Sequence, residues 1–195
     1  MASSSSSSSQ LPTLGGAWRA ARDALSFSST RARQDTGVHV HRIDRYSNLD
    51  TMSLPGQRVE SRPFSAGGHE WKLVYYPNGG AGSRGGGHVA VDLMLTAGPW
   101  WRLFYRPSDV TAAYSVSILD GDGNRAFSKA MGPHRFGSRW SSTGVKEVAK
   151  VEGLRSALRS GKNKDDGLLV RCDVTVMKLE KESRIMWYLR QLVKD

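Results

Sequence analysis

Between Gly167 and Val176 the chain reads GLLVRCDVTV, with Leu168, Val170, Cys172, Val174 and Val176 at every second position and Arg171, Asp173 and Thr175 between them. A period of two lines one face of an extended strand and is foreign to a helix, whose faces repeat every 3.6 residues. The same texture recurs upstream. VHVHRI (38–43), GHEWKLVYY (68–76), HVAVDLMLTA (88–97) and VTAAYSVSIL (110–119) all read as strands, with Trp71, Leu73 and Tyr75 sharing one face. GQRVESRPF (56–64) reads as a strand at an edge or ending at Pro63, because proline cannot donate to a ladder. DGDGN (120–124) is a hairpin turn, after which RAFSKAM (125–131) pairs back, and a short strand is expected near VKEVAK (145–150). Seven or eight short strands with regular turns imply an all-β antiparallel sandwich. Residues 17–25 and 151–160 are helix-like, whereas 77–87, 98–109 and 132–144 read as loops. Strands and helices do not alternate, which argues against a parallel nucleotide-binding sheet.

The ends differ from the middle. MASSSSSSSQ has little apolar surface to bury, so residues 1–30 read as a disordered Ser-rich leader, 31–180 as the folded domain and 181–195 as an amphipathic tail. The leader holds Arg19 and Arg22 and a single acid, Asp23, a composition that a plastid transit peptide shares. In the tail, Ile185, Met186, Leu189, Leu192 and Val193 recur at helical spacing, either to dock on the chain's own domain or to meet a partner. No run of about 18 apolar residues occurs, so no membrane helix is expected. One cysteine, Cys172, allows no internal disulfide and no zinc cage; a reducing compartment, cytoplasm or nucleus, suits it. Net charge is +10. That charge is spread along the chain, and Glu147 and Glu152 break its densest run, Lys146, Lys150, Arg155, Arg159, Lys162 and Lys164. A solvated face is the plain reading of that run; a nucleic acid or an acidic partner is the other.

The motifs of catalysis and ligand binding that the chain carries in part lack the context their chemistry needs. GAGSRG (80–85) has the glycine spacing of a dinucleotide loop, but a strand follows it where a helix N-terminus would be needed. His39 and His41 share a strand face with Ile43 and read as packing positions, with no third metal ligand at a recognisable spacing. DGDGN lacks the glutamate of a calcium loop. No G-x-S-x-G occurs. The chain is therefore expected to be neither an enzyme nor a cofactor or metal protein.

Four segments then point one way: GVHVHRIDRYS (37–47), RPFSAGGHEWKLVYYPNG (62–79), YSVSILDGDGN (114–124) and KDDGLLVRCDVTV (164–176). In this order they resemble the MATH (meprin and TRAF homology) domain, above all that of plant BTB/POZ–MATH adaptors, over about residues 30–180. The resemblance implies an eight-stranded TRAF-like sandwich with a shallow groove that holds short, extended, often Ser/Thr-rich peptide segments by β-augmentation. In full-length adaptors a BTB domain joins a cullin-type ubiquitin ligase and the MATH domain chooses the substrate. Only fourteen residues follow Lys181, so no BTB domain is expected within this chain. The implied roles are a peptide-binding module acting alone or with BTB–MATH adaptors in trans, or a degenerate BTB–MATH fragment.

Carried over position by position, the resemblance puts the groove at Asp92, Tyr114, His134, Trp140, Thr143, Gly144 and Val145. Several of these depart from the family pattern. Asp92 stands where an aromatic is usual, Thr143-Gly144-Val145 replaces W-G-[FY], Trp140 offers an aromatic three residues early, and His134 replaces another ring. Tyr114 keeps its aromatic, but shares parity with Val116 and Ile118 and equally suits the core. The substitutions redirect specificity, with Asp92 favouring a basic or hydroxyl-bearing peptide.

Overall fold

The computed structural model describes residues 16, 19, 28–80, 86–96, 110–120, 122–137, 141–160 and 166–192, with the backbone alone at 160, 188, 191 and 192. The expected leader, the helix over 17–25, the centre of the glycine loop, the aromatic loop 98–109 and Trp140 lie outside the described residues. The chain divides into two compact units, Arg33–Lys178 and a smaller one made of Met1–Ala32 with Leu179–Asp195.

In the larger unit, strands β1 (Ser29–Asp44), β9 (Gly167–Glu182), β6 (Val110–Leu119) and β7 (Arg125–Phe136) form one sheet in that order; β1 and β9 end in the smaller unit. The second sheet runs β2 (Val59–Glu60), β4 (His69–Tyr76), β5 (His88–Leu95), β8 (Ser142–Lys150), with β3 (Phe64–Ala66) also paired to β4. Trp71 faces Phe64 on one side and Leu95 on the other. Hence β3 lies along the same side of β4 as β2, and the two occupy one strand position. Among the described residues the sandwich therefore has eight strand positions in nine segments. Pro63 explains the interruption, and the buried Ser61 bridges it: its N–H donates to the Leu73 carbonyl and its Oγ accepts from the Leu73 N–H, both at 2.9 Å. The turn between β3 and β4 is Gly67-Gly68, with φ of 57° and 75°. That suits a two-residue hairpin, whose twist needs left-handed backbone at both positions. A β-carbon at Gly67 would also collide with Val176.

The inward faces follow the alternation. Trp71, Leu73, Tyr75, Val91, Leu93, Val116, Cys172 and Val174 have no exposed surface and belong to one core. Buried polar atoms on the core side chains find partners: Trp71 Nε1 donates to the Ala66 carbonyl (3.0 Å), and the Tyr75 and Tyr46 hydroxyls pair at 3.1 Å. Burial raises both of those tyrosines above the ordinary phenol range.

Several elements depart from the sequence reading: β1 begins at Ser29, inside the expected leader and before the expected start at Val38, and β9 runs on to Glu182, inside the expected tail. Helix α1 (Tyr46–Met52) was not expected. It begins after Arg45, held at φ 52°, and has no local side-chain cap. Asp166 satisfies it from a distance, its carboxylate accepting from the Ser47 N–H (3.0 Å) and Ser47 Oγ, and its carbonyl from the Tyr46 N–H (2.9 Å). Strand β7 continues through Gly132-Pro133, where a loop was expected from residue 132. It is the edge of its sheet, so the missing proline N–H need not pair, and a register shift opposite Ala113 absorbs the extra residues. Strand β8 accordingly starts at Ser142 instead of near Val145. Helix α2 (Val151–Ser160) and strand β6 fall where the pattern put them.

In the smaller unit, α3 (Arg184–Leu192) starts where the Ser183 carbonyl accepts from the Trp187 N–H and Ser183 Oγ from the Met186 N–H. Arg190 pairs with Glu182. Ile185, Met186 and Leu189 are exposed.

Candidate functional site

Strands β7 and β8 are the last strands of their sheets. Among the described residues, no strand pairs with the outer side of β8. Its row of N–H and C=O groups is the kind of edge to which another extended segment adds.

Two of the expected site residues meet across the β5–β8 ladder. Asp92 pairs with Gly144 in β8 and with Val74 in β4, so Val74, Asp92 and Gly144 form one row. Val91 and Leu93 on either side of Asp92 point into the core and are fully buried, which turns Asp92 to the outer face of the sheet. Gly144 has no side chain, and the Asp92 carboxylate lies over its α-carbon, so that an added β-carbon would run into Oδ1. Burial raises the Asp92 carboxyl above its ordinary range, and a hydrogen bond from the Tyr76 hydroxyl lowers it in part. Tyr76 has the same parity as Val74 and pairs with Ala90, two residues before Asp92, so all share one face. Sequence reasoning missed Tyr76. Its signal exists only once the β4–β5 register is known.

Tyr114 approaches the same edge from the core side. It is 3% exposed, and its hydroxyl donates to the Thr143 carbonyl at 2.8 Å. It is thus both a core residue and the support of β8, which unites the two roles its parity allowed. Burial, then the nearby Asp92 charge, raises the Tyr114 phenol far above its ordinary value. Val145 is buried and packs into the core. His134 pairs with Ala112 on β6 and stacks edge-on against Phe136, ring centroids 5.0 Å apart. The structure therefore assembles Asp92, Tyr114, Thr143 and Gly144 at one strand edge, with His134 set on β7.

The structure also places the other residues that the sequence singled out. Burial pushes the Cys172 thiol up to about 12, so it carries no thiolate at neutral pH. His39 stacks flat on Phe64 (4.3 Å), and burial lowers both His39 and His41, whose Nε2 atoms have no hydrogen-bond partner. No group of three or more metal-ligating side chains occurs among the described residues. The turn DGDGN is closed by Asp120, whose Oδ1 accepts from the Asp122 and Asn124 N–H groups. In the basic stretch, Arg155 is engaged by Asp50 through two hydrogen bonds of 2.5 and 3.1 Å. No helix among the described residues is long and apolar enough to cross a membrane.

Comparison with known proteins gives a consistent result. A family model described as the MATH domain matches residues 38–174. BTB/POZ and MATH domain-containing protein 3 of Arabidopsis thaliana is 27% identical over 181 residues, covering 88% of this chain and 41% of that protein. BTB/POZ and MATH domain-containing protein 4 of the same plant is 28% identical over 149 residues, covering 72% of this chain and 30% of the relative. The chain thus spans well under half the length of these relatives. Among solved structures, TRAF5 of Notothenia coriiceps superposes with a TM-score of 0.50 at 21% identity, covering 71% of this chain and 72% of the other, which supports the fold.

Proposed function

Because this chain belongs to the MATH domain family, a family of protein-interaction modules, we propose that it holds an extended peptide segment of another protein along the outer edge of β8 and performs no chemistry on it. The single observation that supports this reading is the unpaired edge of β8, held from behind by the Tyr114 hydroxyl and left open at Gly144. An added strand would gain main-chain hydrogen bonds from the edge and specificity from the side chains beside it. The relatives' names join MATH to BTB/POZ. We infer by analogy that this module selects substrates for a ubiquitin ligase, acting through a BTB-bearing protein in trans.

The test is a titration of the isotope-labelled chain with a pooled library of short peptides, half of it Ser/Thr-rich, followed by backbone amide shifts. Shifts concentrated on Ser142–Lys146 and on Asp92 support the reading. Shifts concentrated on Lys150, Arg155 and Arg159, lost steeply as salt rises, would replace it with an acidic-partner surface.

A further inference from the structure

The Asp92 carboxylate is half-buried on a sheet face of this strongly basic chain, in a row with the fully buried Val74. Asp35, Asp44, Asp50, Glu60, Asp173 and Glu182 each pair with a lysine or arginine. Among the described residues no cation pairs with Asp92. It shares its sheet face with the buried Ala90 as well. A desolvated carboxylate without a counter-charge costs stability, and such groups concentrate at functional sites. Core packing does not need it, because Asp92 faces away from the core.

Its position says what would neutralise it. Successive strands lie about 4.8 Å apart, so a segment added to β8 would stand two strand spacings from the Asp92 α-carbon. Most side chains at position 144 would block the view across that gap. Gly144 does not, and the carboxylate leans over it toward the edge. A residue of the added strand opposite Gly144, pointing to the same face, meets the carboxylate directly. A lysine or arginine there has the reach. The carboxylate has two oxygens that accept from such a donor.

We propose that Asp92, with Gly144 giving it passage, forms a subsite for one basic side chain, lysine or arginine, of the peptide bound along β8. This rests on the β8 reading above and adds its specificity. The aromatic contact usual in the family is replaced here by an ionic one, which selects by charge. The pair would form in a partly desolvated place, where a charge-assisted hydrogen bond is strong enough to change affinity about ten- to a hundredfold.

The experiment presents a randomised ten-residue peptide display library to the full chain, to Asp92→Asn and to Asp92→Lys. Each protein is first checked by its melting curve. Asp92→Asn keeps size and acceptor capacity while removing the charge. The wild type is expected to enrich a lysine or arginine at one fixed register. Asp92→Asn should bind the selected peptide about ten- to a hundredfold more weakly, and Asp92→Lys should enrich an acidic residue at that register. If wild type selects peptides that shift the β8 amides but carry no basic residue, or if Asp92→Asn selects the same motif with equal affinity, the subsite is refuted while the β8 reading stands. If selected peptides leave the β8 amides unmoved, both fall together. If either variant fails to melt cooperatively, the wild-type enrichment with a lysine-to-norleucine exchange in the selected peptide decides. Equal affinity of the two peptides overturns the proposal.

Discussion

Replacing Tyr114 by phenylalanine removes one oxygen and leaves the ring in place. That oxygen donates to the Thr143 carbonyl across 2.8 Å, joining β6 of one sheet to β8 of the other. The ring is 3% exposed and packs in the core, so Tyr114→Phe makes no cavity. The net value of a single hydrogen bond is about 1 kcal/mol, and the stranded carbonyl adds up to about 1 kcal/mol more where water cannot reach it. Thr143 is only partly buried, which keeps the sum at roughly 1–1.5 kcal/mol. For a domain of this size 1 kcal/mol moves the melting midpoint by about 2–4 °C. The variant should therefore melt about 2–6 °C below wild type in one cooperative transition.

Where the loss appears matters more than its size. If the hydroxyl positions the strand edge, amide exchange should quicken in Ser142–Val145 beyond the general loss, while β9 amides around Val174 follow global stability alone. A spectroscopic control is available. Burial and the Asp92 charge raise the Tyr114 phenol, so wild type should keep one tyrosine un-ionised at alkaline pH that the variant lacks. An unchanged midpoint, or a uniform rise in exchange with no excess in β8, would refute the claim that Tyr114 supports the edge.

Other perturbations probe the same region and its surroundings. Asp92→Asn should stabilise the free protein at neutral pH by a few tenths of a kcal/mol up to about 1. Burial raises the Asp92 carboxyl, so the native state binds its proton more readily. The cost is therefore present at neutral pH and fades as pH falls through the raised value toward the ordinary one; melts of both proteins from pH 7 to 4 should converge. Gly144→Ala should destabilise by about 1–2 kcal/mol because its β-carbon meets the Asp92 carboxylate, and Asp92→Ala in the same chain should recover most of that loss, which a double-mutant cycle measures. His39 and His41 are lowered by burial, so the unfolded chain takes up protons first. Their share of stability is complete above the unfolded value of about 6.5 and is lost as pH drops below it, and His39→Gln with His41→Gln should flatten that slope in melts between pH 7.5 and 5.

The parts of the fold that were legible in sequence are those where one local rule acts alone. Trp71, Leu73 and Tyr75 alternate along β4 and are buried together, and Leu168 through Val176 do the same along β9. The turn at 120–124 could be read because Asp-Gly pairs accept its backbone easily, and Gly123 there takes a φ of 84°. Helix α1 was illegible for the opposite reason. Its start depends on Asp166, 119 residues away from Ser47, and no local window holds that information. The extension of β7 through Pro133 was hidden by a correct rule with an exception. Proline breaks central strands, and only the sheet order shows that β7 is an edge.

The candidate site divides in the same way, and the division explains why a family can keep a fold while changing what it binds. Tyr114 and Val145 answer to the core, and their burial ties them to every neighbouring strand. Asp92 and Gly144 meet across one ladder position, on the sheet face that points away from the core. A change at Asp92 therefore costs the sandwich little, yet it lies beside the β8 edge on which a partner's backbone is proposed to add. Specificity is then free to drift at the outer face while Trp71 and Val174 hold the sheets together. Asp92 substitutions should therefore alter peptide choice far more than they alter the melting midpoint. A variant series at Asp92 in which the two move in proportion would show that the outer face is not independent of the core after all.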